Sequence, residues 1–274
     1  MEALKIKLPA YAGSFYPQGP KEIKALIKVF LAGAKPGKTE CLGCVLPHAG
    51  YIYSGKTASL TAAQINIPDT VVLLGPNHTG LGQEFSLFSS SPWQTPLGKL
   101  EINQLLAKQI FKSCPWIKED SLAHINEHSL EVELPILQYF RQDFKIVPIA
   151  IASDNLSRLK ETGIGIAAAI QETKQAGNVL IAASSDMTHY EPLAQAREKD
   201  NLAIEAILRL DEDGLMESLK KFKITMCGYA PVIIMLSCVK KLGAKSAQLV
   251  NYSTSAERTN DPSSVVGYAG IKVY

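Results

Sequence analysis

The chain has 274 residues, of which 46% are hydrophobic and 20% charged, with a formal net charge of +2. This composition is typical of a globular protein with ample core, and the absence of a basic stripe gives no support to nucleic-acid binding. No apolar run reaches the roughly 20 residues of a membrane span, and Lys5 and Lys7 interrupt any signal-like segment, so we expect a cytoplasmic protein.

Apolar, β-branched runs alternate with amphipathic helical patterns along the chain. In chain order the pattern predicts a helix at 20–32, strands at 43–46 and 70–74, helices at 101–112 and 129–140, a strand at 145–151, a helix at 156–176, a strand at 178–183, helices at 193–209, 213–221 and 230–242, and strands at 247–252 and 265–273. The alternation predicts an α/β protein with a central mixed, largely parallel sheet flanked by helices. Because no linker or repeat interrupts it, we expect a single domain over 1–274.

Three of the predicted strands end at polar loops that carry histidine. His48 follows the first strand, His78 follows the second, and Asp186 and His189 share the loop after the fourth. Ligands of open α/β sheets bind beyond the carboxyl ends of the strands, so these side chains are expected to converge although they lie far apart in sequence. Convergent imidazole and carboxylate groups are typical of a metal site. Each residue taken alone also fits a structural role.

Cys227 lies directly before the last predicted helix. A helix N-terminus lowers the pKa of a thiol and favours the thiolate, which is both a nucleophile and a metal ligand. An inert buried cysteine is an equally good interpretation of the sequence. Cys41 and Cys44 form a C-x-x-C pair, but residues three apart on a strand point to opposite faces and are not expected to share a metal.

Residues 124–128 match the H-x-x-E-H pattern of inverted zinc proteases. That pattern requires a helix, on which residues four apart share a face. Ser129 is predicted to cap a helix that starts after it, so the pattern precedes the helix and we do not interpret it as a protease site.

Several motifs occur in order over nearly the whole chain: Ala12–Pro17, Pro47–Tyr51, Gly75–His78, Trp93 with Thr95–Gly98, Glu127–Glu131, Ser184–Tyr190, Cys227–Gly228 and Gly267–Gly270. On these motifs the chain resembles the Memo family, whose fold is similar to that of class III extradiol, LigB-type dioxygenases. The resemblance implies a LigB-like fold. In bacteria and archaea it also implies an association with a radical-SAM enzyme and an AMMECR-type protein.

The resemblance implies that His48, His78 and Cys227 occupy metal-ligand positions, with Asp186 and His189 beside them. Extradiol dioxygenases use two histidines and a carboxylate on Fe(II), whereas Cys227 takes the place of the carboxylate here. A thiolate is softer, so iron or copper is expected, and zinc also suits the site. Asp186, His189 and Cys227 are the candidate catalytic residues. Four further residues are candidates to line the pocket: His128, Glu131, Tyr51 and Asn77.

The leading hypothesis is therefore a metal-binding protein of the Memo type, with redox or oxygenase-like chemistry if it is an enzyme. One alternative is a non-catalytic binding module for a peptide or a small anionic ligand. Its walls would come from four tyrosines: Tyr16, Tyr51, Tyr53 and Tyr190. A second alternative is a hydrolase with Cys227 as nucleophile and a pocket histidine as base.

Overall fold

The central sheet is built on the apolar runs of the sequence. In this computed structural model, which describes residues 6–34 and 37–274, the strands are β1 (Gly43–Leu46), β2 (Thr70–Pro76), β3 (Phe85–Leu87), β4 (Trp93–Thr95), β5 (Gly98–Leu100), β6 (Lys118–Glu119), β7 (Lys145–Ile151), β8 (Val179–Ser184), β9 (His189–Glu191), β10 (Ala247–Thr254) and β11 (Val265–Val273). Lys5, one of the two lysines that interrupt a signal-like segment near the N-terminus, lies outside the described residues.

The helices cover most of the segments between the strands. They are α1 (Pro20–Phe30), α2 (Tyr51–Ala62), α3 (Gln104–Ser113), α4 (Leu122–Ile125), α5 (Glu133–Phe140), α6 (Leu156–Glu172), α7 (Leu193–Leu208), α8 (Glu212–Phe222), α9 (Tyr229–Leu242) and α10 (Ala256–Thr259). No helix of the described ranges combines the length and the hydropathy needed to cross a bilayer.

The sheet order is β10-β11-β1-β8-β2-β7-β3-β6, with β9 paired to β11, while β4 and β5 form a separate hairpin. Strands β1, β8, β2 and β7 are parallel to their neighbours in this order, whereas β11 runs antiparallel to β1 and β3 antiparallel to β7. The prediction of a single α/β domain with a mixed sheet and a parallel centre is confirmed.

The parallel strands are mostly apolar because helices cover them. All seven residues of β2 are buried, and α9 packs against β1, β2 and β8. Helix α6 in turn packs on α9 at close range, since a Cβ at Gly163 would lie 2.4 Å from the carbonyl oxygen of Ile234. This packing holds the carboxyl ends of β1, β8 and β2 in fixed positions relative to one another.

Helix α5 starts later than predicted, and three helices, α2, α4 and α10, were not predicted. Helix α5 begins at Glu133 rather than near Ser129, because the ring of Pro135 clashes with the carbonyl of residue 131 in any helix that starts earlier. The Ser129 hydroxyl donates to the carbonyl of Pro76 instead of capping the helix. Helix α2 was not predicted, because its small and polar residues are buried on most sides and show no amphipathic period.

Candidate metal centre

The sheet order brings the histidine loops together. His48, His78 and Asp186 each lie two residues beyond the end of β1, β2 and β8, and these three strands are neighbours in the sheet. The loops surround a cavity of about 520 Å³, which we call the main cavity. Its walls are formed by Phe15, His48, Ala49, Gly50, Tyr53, His78, His128, Asp186, His189, Tyr190, Thr225, Cys227, Val266 and Tyr268.

His48 is buried and held in one tautomer. The Ser184 hydroxyl, 2.7 Å from the carbonyl oxygen of Ser129, donates its only proton there. The same Ser184 oxygen, 2.7 Å from His48 Nδ1, therefore accepts a hydrogen bond from the ring. With Nδ1 protonated, Nε2 carries the free lone pair. Burial, and then the neighbouring His78, lower the His48 pKa to about 3, so the ring is neutral at physiological pH.

His78 is oriented by a buried carboxylate. Glu127 is 1% exposed and accepts from the His78 backbone N–H, from His78 Nδ1 at 2.9 Å and from the Ser129 N–H at 2.9 Å. Burial opposes the ionisation of Glu127, but the hydrogen bonds from His78 and Ser129 outweigh it and lower the Glu127 pKa to about 2. The ionised carboxylate therefore accepts a hydrogen bond from Nδ1–H of His78. As in His48, Nε2 is then the ring nitrogen whose lone pair points to the site.

Cys227 reaches the same point from the start of α9. A Cβ at Gly228 would lie 2.1 Å from the Ser184 carbonyl oxygen, so only glycine lets this segment approach the end of β8 closely. The Cys227 sulfur lies 3.3 Å from His48 Nε2 and 3.7 Å from the carbonyl oxygen of Asp186. Burial and the Asp186 carboxylate raise the Cys227 pKa, contrary to the lowering expected from the helix N-terminus, because desolvation outweighs the helix dipole here.

Asp186 and His189 both face the main cavity. The Asp186 carboxylate accepts from the backbone N–H groups of His48 and Ala49, at 2.9 and 3.3 Å, and burial raises its pKa. His189 Nδ1 lies 3.0 Å from the carbonyl oxygen of Thr225, which only accepts, so Nδ1 is protonated. Nε2 of His189 is then free to accept a proton.

A third imidazole completes the histidine cluster. The His128 ring stacks on His78 with centroids 4.7 Å apart, and its centroid lies 5.3 Å from that of His48. Phe15 packs on its other side at 4.6 Å. Burial, followed by the neighbouring His48, lowers the His128 pKa to about 4, so this ring too is neutral.

The donor atoms of His48, His78 and Cys227 lie within 4.8 Å of one another. In a tetrahedral site with metal bonds of about 2.0 Å to nitrogen and 2.3 Å to sulfur, the two ligand atoms are about 3.5 Å apart, close to the 3.3 Å between Cys227 and His48. The residues therefore fit a transition metal. A second close group, His78, Glu127 and His128, fits less well because N–H donors already occupy the Glu127 oxygens.

Three of the candidate lining residues lie away from the main cavity. Tyr51 is buried in the core and donates to the carbonyl of Val132. Asn77 lies in a neighbouring cavity beside His78, and its side chain closes the turn at Thr79. Glu131 anchors the N-terminal segment, which we call the strap (residues 7–16), by binding Lys7 Nζ at 2.9 Å.

The H-x-x-E-H residues do not form a protease site. His124 lies in the four-residue helix α4, its ring is buried between Phe88 and Trp93, and its Nε2 bonds to the carbonyl of Ser86. The cysteines Cys41 and Cys44 are buried free thiols. Neither of the metal-compatible groups found among the described residues includes His124 or these two cysteines.

Sequence reasoning missed the residues that support the ligands. Ser184 was noticed as a polar residue at the end of a strand and as the first residue of the Ser184–Tyr190 motif, but its bond to His48 depends on the pairing of β1 with β8. Glu127 was noticed in the H-x-x-E-H pattern and in the Glu127–Glu131 motif, but neither indicated that its carboxylate would accept from His78. Phe15 was part of a motif, but nothing local indicated that the strap would bring it to the cavity.

Comparisons with known proteins concern the family and the fold of the chain. A family model described as Memo-like protein matches residues 7–272. The chain is 44% identical to a MEMO1 family protein of Methanosarcina barkeri, covering 98% of this chain and 100% of that protein, and 41% identical to one of Aquifex aeolicus, covering 98% and 99%. The fold is similar to that of an uncharacterized protein from Escherichia coli K12, with a TM-score of 0.56 and 12% identity over 84% of this chain and 98% of that chain. Since the family model and full-length relatives agree over nearly every residue, the chain belongs to the Memo family.

Proposed function

We propose that the protein binds one iron or copper ion through His48, His78 and Cys227, and that it acts as a metal-dependent oxidoreductase. The observation that supports this most directly is the convergence of three donor atoms, from three separate loops, within 4.8 Å. Both imidazoles are fixed with Nδ1 bonded behind the site, which is the arrangement that metal-binding histidines require.

A bound iron or copper ion would supply Lewis-acid and redox chemistry at this point. The chain's own residues would do the rest. Asp186 fixes the His48 loop through two backbone N–H groups, and His189 offers Nε2 as a proton acceptor at the cavity wall. Phe15, Tyr53 and Tyr268 provide an apolar surface that excludes water from an organic ligand.

The hydrolase alternative has less support from the geometry. A nucleophilic cysteine needs a lowered pKa, and burial with the Asp186 charge raises that of Cys227. The small-anion alternative has less support, because none of the described residues that line the main cavity is a lysine or an arginine. The aromatic wall remains compatible with an organic ligand.

The test is the metal content of anaerobically purified protein and its affinity for Fe²⁺ and Cu⁺. His78→Ala and Cys227→Ala should each remove stoichiometric binding. Cys238→Ala, a buried thiol on α9 away from the cavity, is the matched control and should retain it. Equal metal binding in wild type and in Cys227→Ala would refute the proposal.

A further inference from the structure

A second cavity adjoins the candidate metal centre. It has a volume of about 390 Å³ and lies between the ends of β2 and β7 and the start of α9. His78 and Cys227 line both this cavity and the main cavity, so these two side chains form the wall between them. A metal held by that wall is within reach of both cavities.

The chemistry of the second cavity differs from that of the main cavity. Asp154 is exposed at its wall, and within the described ranges no hydrogen bond or ion pair engages its carboxylate. Among the described residues that line this cavity there is no lysine or arginine, and the lining includes the small residues Ala152 and Ala230 next to Cys227. A free carboxylate in a narrow cleft attracts cations and raises their local concentration.

The lining of the main cavity is less suited to attracting a metal cation. Its carboxylate, Asp186, is buried and already accepts two backbone N–H groups. Aromatic side chains form much of the remaining wall, including the highly exposed Tyr190, and such a surface suits an organic ligand better than a hydrated ion.

We propose that the metal ion reaches His78 and Cys227 through the second cavity, with Asp154 as the residue that attracts it, while the main cavity receives the organic ligand. This inference rests on the proposed metal site. Separate routes would let the metal be loaded without crossing the ligand cavity. Asp154 acts here on the rate of entry and is not a ligand of the bound metal.

The test follows Co²⁺ binding to the metal-free protein in a stopped-flow instrument, through the absorption of the cobalt–thiolate bond. Asp154→Asn should slow association about three- to tenfold at low ionic strength, and salt should diminish the difference. Ala152→Trp, which fills the second cavity, should slow association at all salt concentrations. A residue that acts only on the entry route changes the association and dissociation rate constants by the same factor. The equilibrium Kd of both variants should therefore stay within about twofold of the wild-type Kd.

Val266→Trp is the matched control, because it narrows the main cavity and should leave the association rate unchanged. If Val266→Trp slows association and the second-cavity variants do not, or if all variants behave alike, the proposed route is wrong although the metal site stands. A large rise in Kd for Asp154→Asn would make Asp154 a ligand and also overturn the route. Failure of the wild type to bind Co²⁺, Fe²⁺ or Cu⁺ would remove the metal site itself and the route with it.

Discussion

Replacing Glu131 with alanine should strongly lower the free energy of unfolding, although Glu131 does not line the main cavity. The Glu131 carboxylate is 1% exposed and accepts from Lys7 Nζ at 2.9 Å, from the backbone N–H groups of Ala10 and Tyr11 at 2.9 and 2.8 Å, and from the Tyr16 hydroxyl at 2.8 Å. These four donors hold the strap against the body of the protein.

The size of the effect follows from what the substitution leaves behind. Lys7 is 5% exposed, and removing one partner of a buried ion pair costs about 3–5 kcal/mol because the other charge stays uncompensated. Each unsatisfied donor of the strap adds about 1–3 kcal/mol if it stays buried. Detachment of the strap lets water reach these donors and limits the total, so we expect Glu131→Ala to lower the free energy of unfolding by about 3–5 kcal/mol.

Urea unfolding measures this free energy, and hydrogen exchange at the Ala10 and Tyr11 amides reports detachment of the strap. Glu101→Ala is the matched control, since Glu101 pairs with Lys99 at 2.6 Å but both side chains are half-exposed; its cost should stay below about 1 kcal/mol. If Glu131→Ala costs no more than Glu101→Ala, the assignment of burial as the decisive factor is refuted.

Three further predictions concern titration and support of the site. Because burial raises the Cys227 pKa, a divalent metal must displace the thiol proton. The affinity measured in a titration of Co²⁺ should therefore rise about tenfold per pH unit below that pKa, and an affinity independent of pH would contradict this. Ser184→Ala removes the acceptor of His48 Nδ1 and should weaken metal binding about 10- to 100-fold in the same assay. Burial raises the Glu133 pKa well above 4.5 in the folded protein. As pH rises, the unfolded chain therefore loses the Glu133 proton at a lower pH than the folded protein does. Wild-type stability should fall as pH rises above about 4.5. Glu133→Gln should remove this loss and be the more stable protein at pH 7 in thermal unfolding, and a variant less stable than wild type at that pH would contradict the assignment.

Local sequence signals predicted the parts of the site that follow strands. His48, His78 and Asp186 were predictable because a short apolar run and a polar loop are encoded next to each other in the chain, and parallel strands bring such loops to one edge. Ser184 and Glu127 were not predictable in the same way, since their partners are set by strand order and by the position of the 127–132 turns. The period of hydrophobic residues carries no information about either contact.

Helix α2 and Cys227 show two further limits of the sequence. Helix α2 is covered on most sides, so its residues lack the polar face on which an amphipathic pattern depends. For Cys227 the position before a helix was identified correctly, but the pKa depends on how deeply the thiol is buried and on the nearby Asp186. Burial is a property of the whole fold, and no local window of the sequence contains it.

Glu127 bears on the charge balance of the proposed metal site. In that proposed site Cys227 supplies the anionic ligand, and an ionised carboxylate lies one hydrogen bond behind His78, with Glu127 Oε1 2.9 Å from Nδ1. With His48 and His128 neutral, a divalent ion brings one more positive charge to this buried site than Cu⁺ does, and Glu127 is placed to balance part of that charge. Glu127→Gln keeps the shape of the side chain and removes the charge. It should therefore weaken binding of Co²⁺ about 10- to 100-fold but weaken binding of Cu⁺, which the thiolate alone neutralises, much less. Equal losses for the two ions in matched competition titrations would show that Glu127 acts only by orienting the His78 ring.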